Sequence, residues 1–234
     1  MRFSAICCVV FFLTSSQAHG FSFGGYVSDE EDRFLDNVWS FVDYMDGHYT
    51  RKNYRWARHR HFTTSSQSYV DVEDISYFSG HGNHHHIWPS SSESSLDLSD
   101  GSSTWGSSSI YGTGDSEYVV FQSCSVLSLS DYDSHNWSYF WKSTASRDRP
   151  FSGLHMVMGY KSDSGSDDDV GEDFGRYLKR GWEVRESWLE AIMDNGRMGY
   201  LVDEDGNREW TYLPGYACVI YIKPNKDETV STRT

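Results

Sequence analysis

Two short runs of β-branched and aromatic residues end abruptly in small or polar residues that carry a reactive side chain. The first run is Asp74–Asn83, which contains His81, and the second is Tyr118–Cys124. A buried strand that continues into a loop at its carboxyl end gives this pattern. In parallel α/β sheets, that end of the strands is where sites form. We therefore expect His81 and Cys124 to lie side by side at the tips of neighbouring strands.

Size and charge narrow the class of protein. The chain has 234 residues, of which 38% are hydrophobic, and this predicts one domain with a sizeable core rather than two. The formal net charge of −14 argues against a nucleic-acid-binding protein and against docking on anionic membranes, because both need a basic face.

The amino terminus has the features of a secretory signal peptide. Arg2 supplies a short positive region, residues 3–13 are apolar, and Ser16-Gln17-Ala18 has the small-x-small form of a cleavage site. The apolar run is too short for a membrane span. We expect an exported protein with no membrane anchor after signal removal. The predicted organisation is a signal peptide at 1–18, a single domain at 19–223 with a Ser/Gly-rich loop insertion at 89–115, and a flexible tail at 224–234.

The cysteines allow two interpretations. Cys7 and Cys8 would leave with the signal peptide, so that Cys124 and Cys218 remain. In an oxidising compartment these two can form one disulfide. Alternatively, Cys124 is reactive and Cys218 is buried in a strand. Asn136, in Asn136-Trp137-Ser138, is a possible glycosylation acceptor.

No cofactor is expected, although two metal sites remain open as alternatives. The run His84-His85-His86 follows His81 closely, but no standard zinc-ligand spacing is present. The carboxylates after the strand at 153–160 could bind calcium, but their spacing does not match an EF-hand loop, and a solvated acidic loop is the favoured interpretation. The candidate ligands are His81, His84 and His86 for zinc, and Asp163, Asp167 and Asp169 for calcium.

Periodicity predicts the remaining elements. A capping box at Ser28 and Glu31 precedes an amphipathic helix, and Gly181 separates two further helices. The first helix has an apolar stripe of Phe34, Leu35, Val38, Trp39, Val42 and Met45. The other predicted elements are a basic strand–loop at 47–61, a short helix at 137–145, a strand at 153–160 with His155 as a core histidine, helices at 174–180 and 184–193, a hairpin of 198–202 and 209–213 around Asp205-Gly206, and a last strand at 216–223.

The paired strand ends suit nucleophilic catalysis. A cysteine is nucleophilic as its thiolate, and a neighbouring histidine lowers its pKa and later moves the proton. Cys124 follows His81 by 43 residues, near the roughly 50 typical of caspases. Gly82 would let backbone N–H groups approach a substrate carbonyl. The N–H groups of Gly82 and Cys124 could then stabilise a tetrahedral oxyanion.

These blocks resemble the caspase-like clan of cysteine peptidases, which includes caspases, metacaspases, gingipains, clostripain, legumain and separase. The chain is more similar still to a family of exported caspase-like domains with no assigned activity. The resemblance covers roughly residues 62–193. The segments that carry it are Ser79-Gly80-His81-Gly82, Gln122-Ser123-Cys124, Gly153–Gly159, Phe174–Gly181 and Glu186–Ala191.

The resemblance implies an α/β fold with a mostly parallel sheet flanked by helices, a caspase-like three-layer sandwich, to which a β-hairpin and a strand are added at the carboxyl end. It implies a catalytic dyad of His81 and Cys124 in a secreted cysteine endopeptidase, whose expected partner is a peptide or protein substrate. The alternative is a non-catalytic secreted binding or interaction module on the same fold. A metal-binding protein that uses His81, His84 and His86 is the third possibility.

Overall fold

A computed structural model describes most of the predicted domain. The residues described are 21–28, 32–46, 50–63, 68–98, 116–128, 154–164, 169–195, 197–202, 208–213, 217–221 and 229. Several predictions fall outside these ranges: the signal peptide at 1–18, Glu31 of the capping box, Asn136, the helix at 137–145, Asp167 and the Asp205-Gly206 turn. None of the described helices is long and apolar enough to cross a membrane.

Strands and helices alternate over residues 22–79, and a run of strands follows as far as residue 160. The elements are β1 (Ser22–Val27), α1 (Asp32–Met45), β2 (Thr50–Trp56), α2 (His59–Phe62), β3 (Ile75–Ser79), β4 (His81–Asn83), β5 (His86–Trp88), β6 (Leu96–Asp97), β7 (Tyr118–Gln122), β8 (Met156–Tyr160), α3 (Asp169–Lys179), α4 (Val184–Asp194), β9 (Arg197–Val202), β10 (Arg208–Leu213) and β11 (Ala217–Tyr221).

Six strands form the central sheet in the order β11-β8-β7-β3-β1-β2. Five of them, from β8 to β2, are parallel, and β11 pairs antiparallel with β8 at one edge. The chain winds outward from β1 in both directions, which is the doubly wound arrangement of open α/β sheets. The predicted α/β class and the mostly parallel sheet are therefore confirmed. So are the carboxyl-terminal additions, because β9 and β10 form an antiparallel pair and β11 joins the sheet.

One face of the sheet packs against α1, α3 and α4. Phe41 of α1 stacks on Tyr77 of β3 at 4.8 Å between ring centroids and on Phe174 of α3 at 5.7 Å. Trp188 of α4 meets Phe174 edge to face at 5.7 Å. All four rings are fully buried. These stacked and edge-on contacts join the three helices to the sheet.

The opposite face carries a second row of buried aromatic side chains. Tyr26, Phe78 and Phe121 come from adjacent strands, and Phe62 of α2 packs on Tyr26 and Phe78 at centroid distances of 5.4 and 5.6 Å. Ile87 of β5 is buried in the same cluster. Successive strand residues point to opposite faces, so both faces of this sheet are covered, and every residue of β3, β7 and β8 is buried.

β1 is the one strand of the central sheet that the sequence pattern did not predict. Its pair of glycines at Gly24 and Gly25 depresses β propensity. The structure gives Gly24 a specific reason, since a Cβ there would collide with the carboxylate of Glu73. That carboxylate is fully buried and accepts hydrogen bonds from Tyr26 Oη at 2.6 Å and Ser76 Oγ at 3.0 Å.

The helices differ from their predictions in detail. In α1 the buried side includes Asn37 and Phe41, whereas Leu35 and Trp39 are only half-buried. α3 begins at Asp169, five residues before the predicted start, and Gly181 separates it from α4 with a φ of +80°. The predicted loop at 89–115 contains β6, with Leu96 and Leu98 buried. In the predicted tail, Thr229 forms a β-bridge with Glu183.

Candidate functional site

His81 and Cys124 follow adjacent parallel strands. β3 pairs with β7, and the last pair in register is Ser79 with Gln122. His81 stands two residues beyond Ser79, and Cys124 two residues beyond Gln122. The N–H of Gly80 donates to the Gln122 carbonyl at 3.3 Å, which keeps the two chains together past the strand ends. The prediction that the two residues follow neighbouring strands at one edge of the sheet is therefore confirmed.

Gly82 brings the first segment against the second. A Cβ placed on Gly82 would lie 2.7 Å from the Cβ of Ser123 and 3.0 Å from the carbonyl oxygen of Cys124, and it would collide with Val126. Real side chains do not approach so closely, so only glycine fits. The backbone after His81 consequently lies directly against the turn that carries Cys124.

Cys124 carries a free, half-buried thiol. Its Sγ lies 3.4 Å from the Oγ of Ser164, which follows β8. Three neighbouring strand ends therefore converge here. The alternative disulfide with Cys218 is wrong for this structure because the Cys124 sulfur is unbonded; in β11, Cys218 pairs with Gly159.

His81 is half-buried and packs against the first turn of α1. Its ring meets Phe34 edge to face at 5.0 Å, and the Arg33 guanidinium lies 5.2 Å from the centre of the same Phe34 ring. Among the described residues, the hydrogen-bonding contact of the Cys124 thiol is Ser164 and not His81. The two proposed catalytic side chains thus approach the same edge of the sheet without a hydrogen bond between them.

An open cleft lies beside His81. It has a volume of about 340 Å³, and its described lining is His81, Gly82, Asn83 and Trp88. These residues belong to β4 and β5, which form an antiparallel hairpin in which His81 pairs with Trp88. Cys124 is not among the described lining residues. The cleft therefore offers an aromatic wall and an imidazole to a ligand on the histidine side of the site.

A tight turn of two histidines joins β4 to β5. His84 and His85 have φ values of +38° and +58°, which is the geometry of a type I′ hairpin turn. Their backbone N–H groups donate to the carbonyls of Ser125 and Val126, each at 3.0 Å. Ser125 also has a positive φ, of +52°. The turn is thus fastened to the segment immediately after Cys124.

The histidine run gathers with an aspartate from outside the predicted set. His85, His86 and Asp97 place one ligand atom each within 4.8 Å of one another. The structure does not bring His81 and His84 to His86 as metal ligands within the described chain. Asp97 was not predicted as a member of this group. It lies in β6, a strand of only two residues that no strong sequence pattern indicates.

The acidic loop shows no comparable grouping in its described part. Asp163 is exposed in the segment after β8, and Asp169 is exposed at the first position of α3. No metal-like cluster in the residues that the structure covers includes either one. Calcium binding there remains a prediction of the sequence, without structural support from this region.

These features define an α/β protein with a doubly wound sheet and a histidine–cysteine pair at the carboxyl edge of adjacent strands. The chain belongs to the family described as "Domain of unknown function (DUF6345)", which it matches over residues 26–212. That match spans more than half of the chain. It contains every element from β2 to β8 in chain order, and with them His81 and Cys124. No curated protein matches the chain.

Proposed function

We propose that the chain is an exported cysteine endopeptidase of caspase-like fold, with Cys124 as nucleophile and His81 as general base and acid. The observation that carries the proposal is the register of β3 and β7, which sets both residues two positions beyond the same strand pair. Strand ends of this kind are where α/β sheets hold their sites. The mostly parallel sheet with α1, α3 and α4 on one face supports the likeness to the clan.

The reaction has two stages. His81 takes the thiol proton, and the Cys124 thiolate attacks the peptide carbonyl carbon to form a tetrahedral oxyanion. The C–N bond then breaks as His81 gives the proton to the departing amine. His81 then takes a proton from water, and the hydroxide attacks the carbonyl carbon of the resulting thioester. The C–S bond breaks, which releases the acid, and the Cys124 thiolate recovers the proton from His81. The N–H groups of Gly82 and Cys124 stabilise the oxyanion in both stages.

For this chemistry the imidazole and the thiol must come within hydrogen-bonding reach. In the structure the thiol contacts Ser164 at 3.4 Å, and His81 rests on Phe34. Catalytic hydrogen bonds are often long or poorly aligned before the substrate binds, and they tighten in the complex. A rotation of each side chain away from its present contact is the movement that the proposal requires.

A binding module without catalysis is the second candidate. It is favoured by the Ser164 contact of the thiol and by the cleft beside Trp88, which could hold a ligand without any covalent step. Trp is a common anchor in binding sites. The two candidates differ in whether Cys124 reacts.

The test uses the full chain purified from the culture medium without reductant. Brief alkylation at mildly acidic pH, mapped by peptide mass spectrometry, measures thiol reactivity, and a peptide library measures cleavage. We expect rapid labelling at Cys124 that is lost in His81→Ala. We expect Cys124→Ala to lower cleavage by about a thousandfold or more.

His155→Ala is the matched control. His155 is also half-buried, but it precedes β8. It therefore lies at the amino-terminal ends of the parallel strands, whereas His81 lies beyond their carboxyl-terminal ends. This variant should cleave and label as the wild type does. Slow labelling of Cys124 in the wild type, with no cleavage of any library peptide, would overturn the peptidase and favour the binding module.

A further inference from the structure

We propose that His85, His86 and Asp97 form a binding site for a divalent transition-metal ion of the zinc class. The site is independent of the proposed peptidase chemistry and uses a different set of side chains. The backbone sets two of the ligands opposite each other, because His86 of β5 pairs with Asp97 of β6. The N–H of Leu98 donates to the His85 carbonyl at 2.9 Å, which holds the third ligand in place.

The distances between ligand atoms suit a metal ion. His85 Nε2 lies 3.6 Å from Asp97 Oδ1, and His86 Nε2 lies 3.9 Å from Asp97 Oδ2. Zinc binds nitrogen and oxygen at about 2.0–2.1 Å in a tetrahedron, which places ligand atoms about 3.3 Å apart. Small side-chain rotations would therefore bring the three groups into coordination without moving the strands.

The orientation of His86 also suits coordination. Its Nδ1 lies 2.9 Å from the carbonyl oxygen of His84 and must donate a proton to it. In the neutral imidazole, this leaves the lone pair on Nε2, which is the atom that faces Asp97. A backbone carbonyl that fixes the tautomer of a metal-binding histidine is a recurrent feature of zinc sites.

The donor set and exposure indicate which ions fit. Two imidazoles and one carboxylate favour zinc and similar transition metals over calcium or magnesium, which prefer oxygen ligands. The His85 side chain is 13% exposed, whereas those of His86 and Asp97 are 33% and 39% exposed. A half-open site with three protein ligands leaves a position for water or an exogenous ligand.

The location gives the ion a structural consequence. The turn at His84 and His85 donates hydrogen bonds to Ser125 and Val126, directly after Cys124. An ion held by His85, His86 and Asp97 would join this turn to β5 and β6. It would thereby brace the three-stranded sheet of β4, β5 and β6 against the turn that carries the thiol.

The experiment titrates metal-stripped, untagged full chain with zinc chloride by calorimetry. We expect one zinc ion per chain, and a loss of affinity of more than about tenfold in both His86→Ala and Asp97→Asn. Asp97→Asn keeps the shape of the side chain, so it tests the ligand even if His86→Ala folds poorly. The thermal midpoint of the wild type should rise with zinc, and that of Asp97→Asn should not.

His84→Asn is the matched control. It removes an adjacent imidazole that is not in the cluster, and asparagine tolerates a positive φ. It should bind zinc as tightly as the wild type does. Absence of a one-to-one complex at zinc concentrations up to about 1 mM, equal affinity in wild type and Asp97→Asn, or binding that is lost only in Cys124→Ser would overturn the site and leave a plain histidine–aspartate ion pair.

Discussion

At the scale of single residues, glycines make the close approaches on which the site depends. Gly82 allows the segment after His81 to lie against Ser123 and Cys124, and Gly24 leaves room for the buried carboxylate of Glu73. Neither glycine is needed for a turn. Each is required because a residue that is distant in sequence occupies the volume that a side chain would fill. The need for glycine at these positions therefore cannot be predicted from the neighbouring residues in the sequence.

Gly82→Ala should therefore be destabilising. The added methyl group would meet Ser123, Cys124 and Val126, and overpacking of this kind costs about 1–3 kcal/mol in the free energy of unfolding. Urea denaturation measures the change. Asn83→Ala, at the exposed neighbouring position, is the control and should stay within about 0.5 kcal/mol of the wild type.

A second readout of Gly82→Ala is the rate of Cys124 alkylation in the folded protein. Displacement of the Ser123–Val126 turn should change that rate, whereas Asn83→Ala should not. An unfolding free energy and a labelling rate that both match the wild type would show that the two segments are not packed as described.

Sequence patterns predicted where His81 and Cys124 lie in the fold. Each follows an apolar run, and the two runs form the adjacent strands β3 and β7. His85 and Asp97 could not be paired from sequence, since β6 is only two residues long and its register with β5 depends on the path of the intervening loop. The sequence shows the histidine run, whereas the structure groups His86 with His85 and Asp97 rather than with His81 and His84.

At the scale of elements, α1 shows how tertiary packing selects among apolar residues. The 3.6-residue period of apolar residues correctly predicted the helix. It did not predict which residues of the apolar stripe lie at its buried centre and which lie at its partly exposed margins. Phe41 lies at the centre and is fully buried between Tyr77 and Phe174, whereas Trp39 lies at the margin. The rotation of a helix about its axis is set by the partner surface, so the sequence alone leaves it uncertain.

Phe41→Ala should cost about 3–5 kcal/mol in unfolding free energy, because it leaves a cavity between two aromatic rings. Trp39→Ala should cost clearly less, although it removes a larger side chain, since Trp39 is only half-buried. Chemical denaturation of the two variants side by side gives the comparison. A larger loss for Trp39→Ala would mean that α1 packs with a different face toward the sheet.

β1 marks the limit of element prediction. Strands that are buried on both faces are recognised by near-continuous hydrophobic runs, as in β7 and most of β3 and β8. β1 has two glycines in six residues, so its local preference is weak, yet it lies between β2 and β3. Its place in the sheet comes from pairing on both sides rather than from its own composition.

At the scale of the whole molecule, buried ionisable groups tie stability to pH. Tyr77 is fully buried and donates a hydrogen bond to Asn37 Oδ1 at 2.7 Å. Burial, with Tyr160 nearby, raises the pKa of Tyr77 well above 10.0. In the unfolded chain the phenol ionises near pH 10 and in the folded chain it does not. Its contribution is therefore intact below about pH 10 and is lost as the pH rises above that value.

We expect the unfolding free energy of the wild type to fall more steeply between about pH 9 and pH 11 than that of Tyr77→Phe. At neutral pH the variant should lose only about 0.5–1.5 kcal/mol, the usual value of one hydrogen bond. Urea titrations across this range, fitted with a common dependence on denaturant, give both values. Parallel pH profiles for the two proteins would contradict the assignment to Tyr77.

The outermost strand of the parallel side, β2, has the sequence Thr-Arg-Lys-Asn-Tyr-Arg-Trp and pairs with β1 through an irregular register at Phe23 and Gly24. Among the strands that the structure describes, β1 is its only neighbour in the sheet. Edge strands are templates for open-ended stacking, and natural proteins protect them with charge and with bulges. A second copy that approached β2 edge to edge would bring together two strands that each contain two arginines and a lysine in their sequence, and like charges on paired strands are destabilising. The positive charges of β2, in an otherwise acidic chain, thus disfavour edge-to-edge association into fibres. Their neutralisation should promote aggregation without any change in the fold.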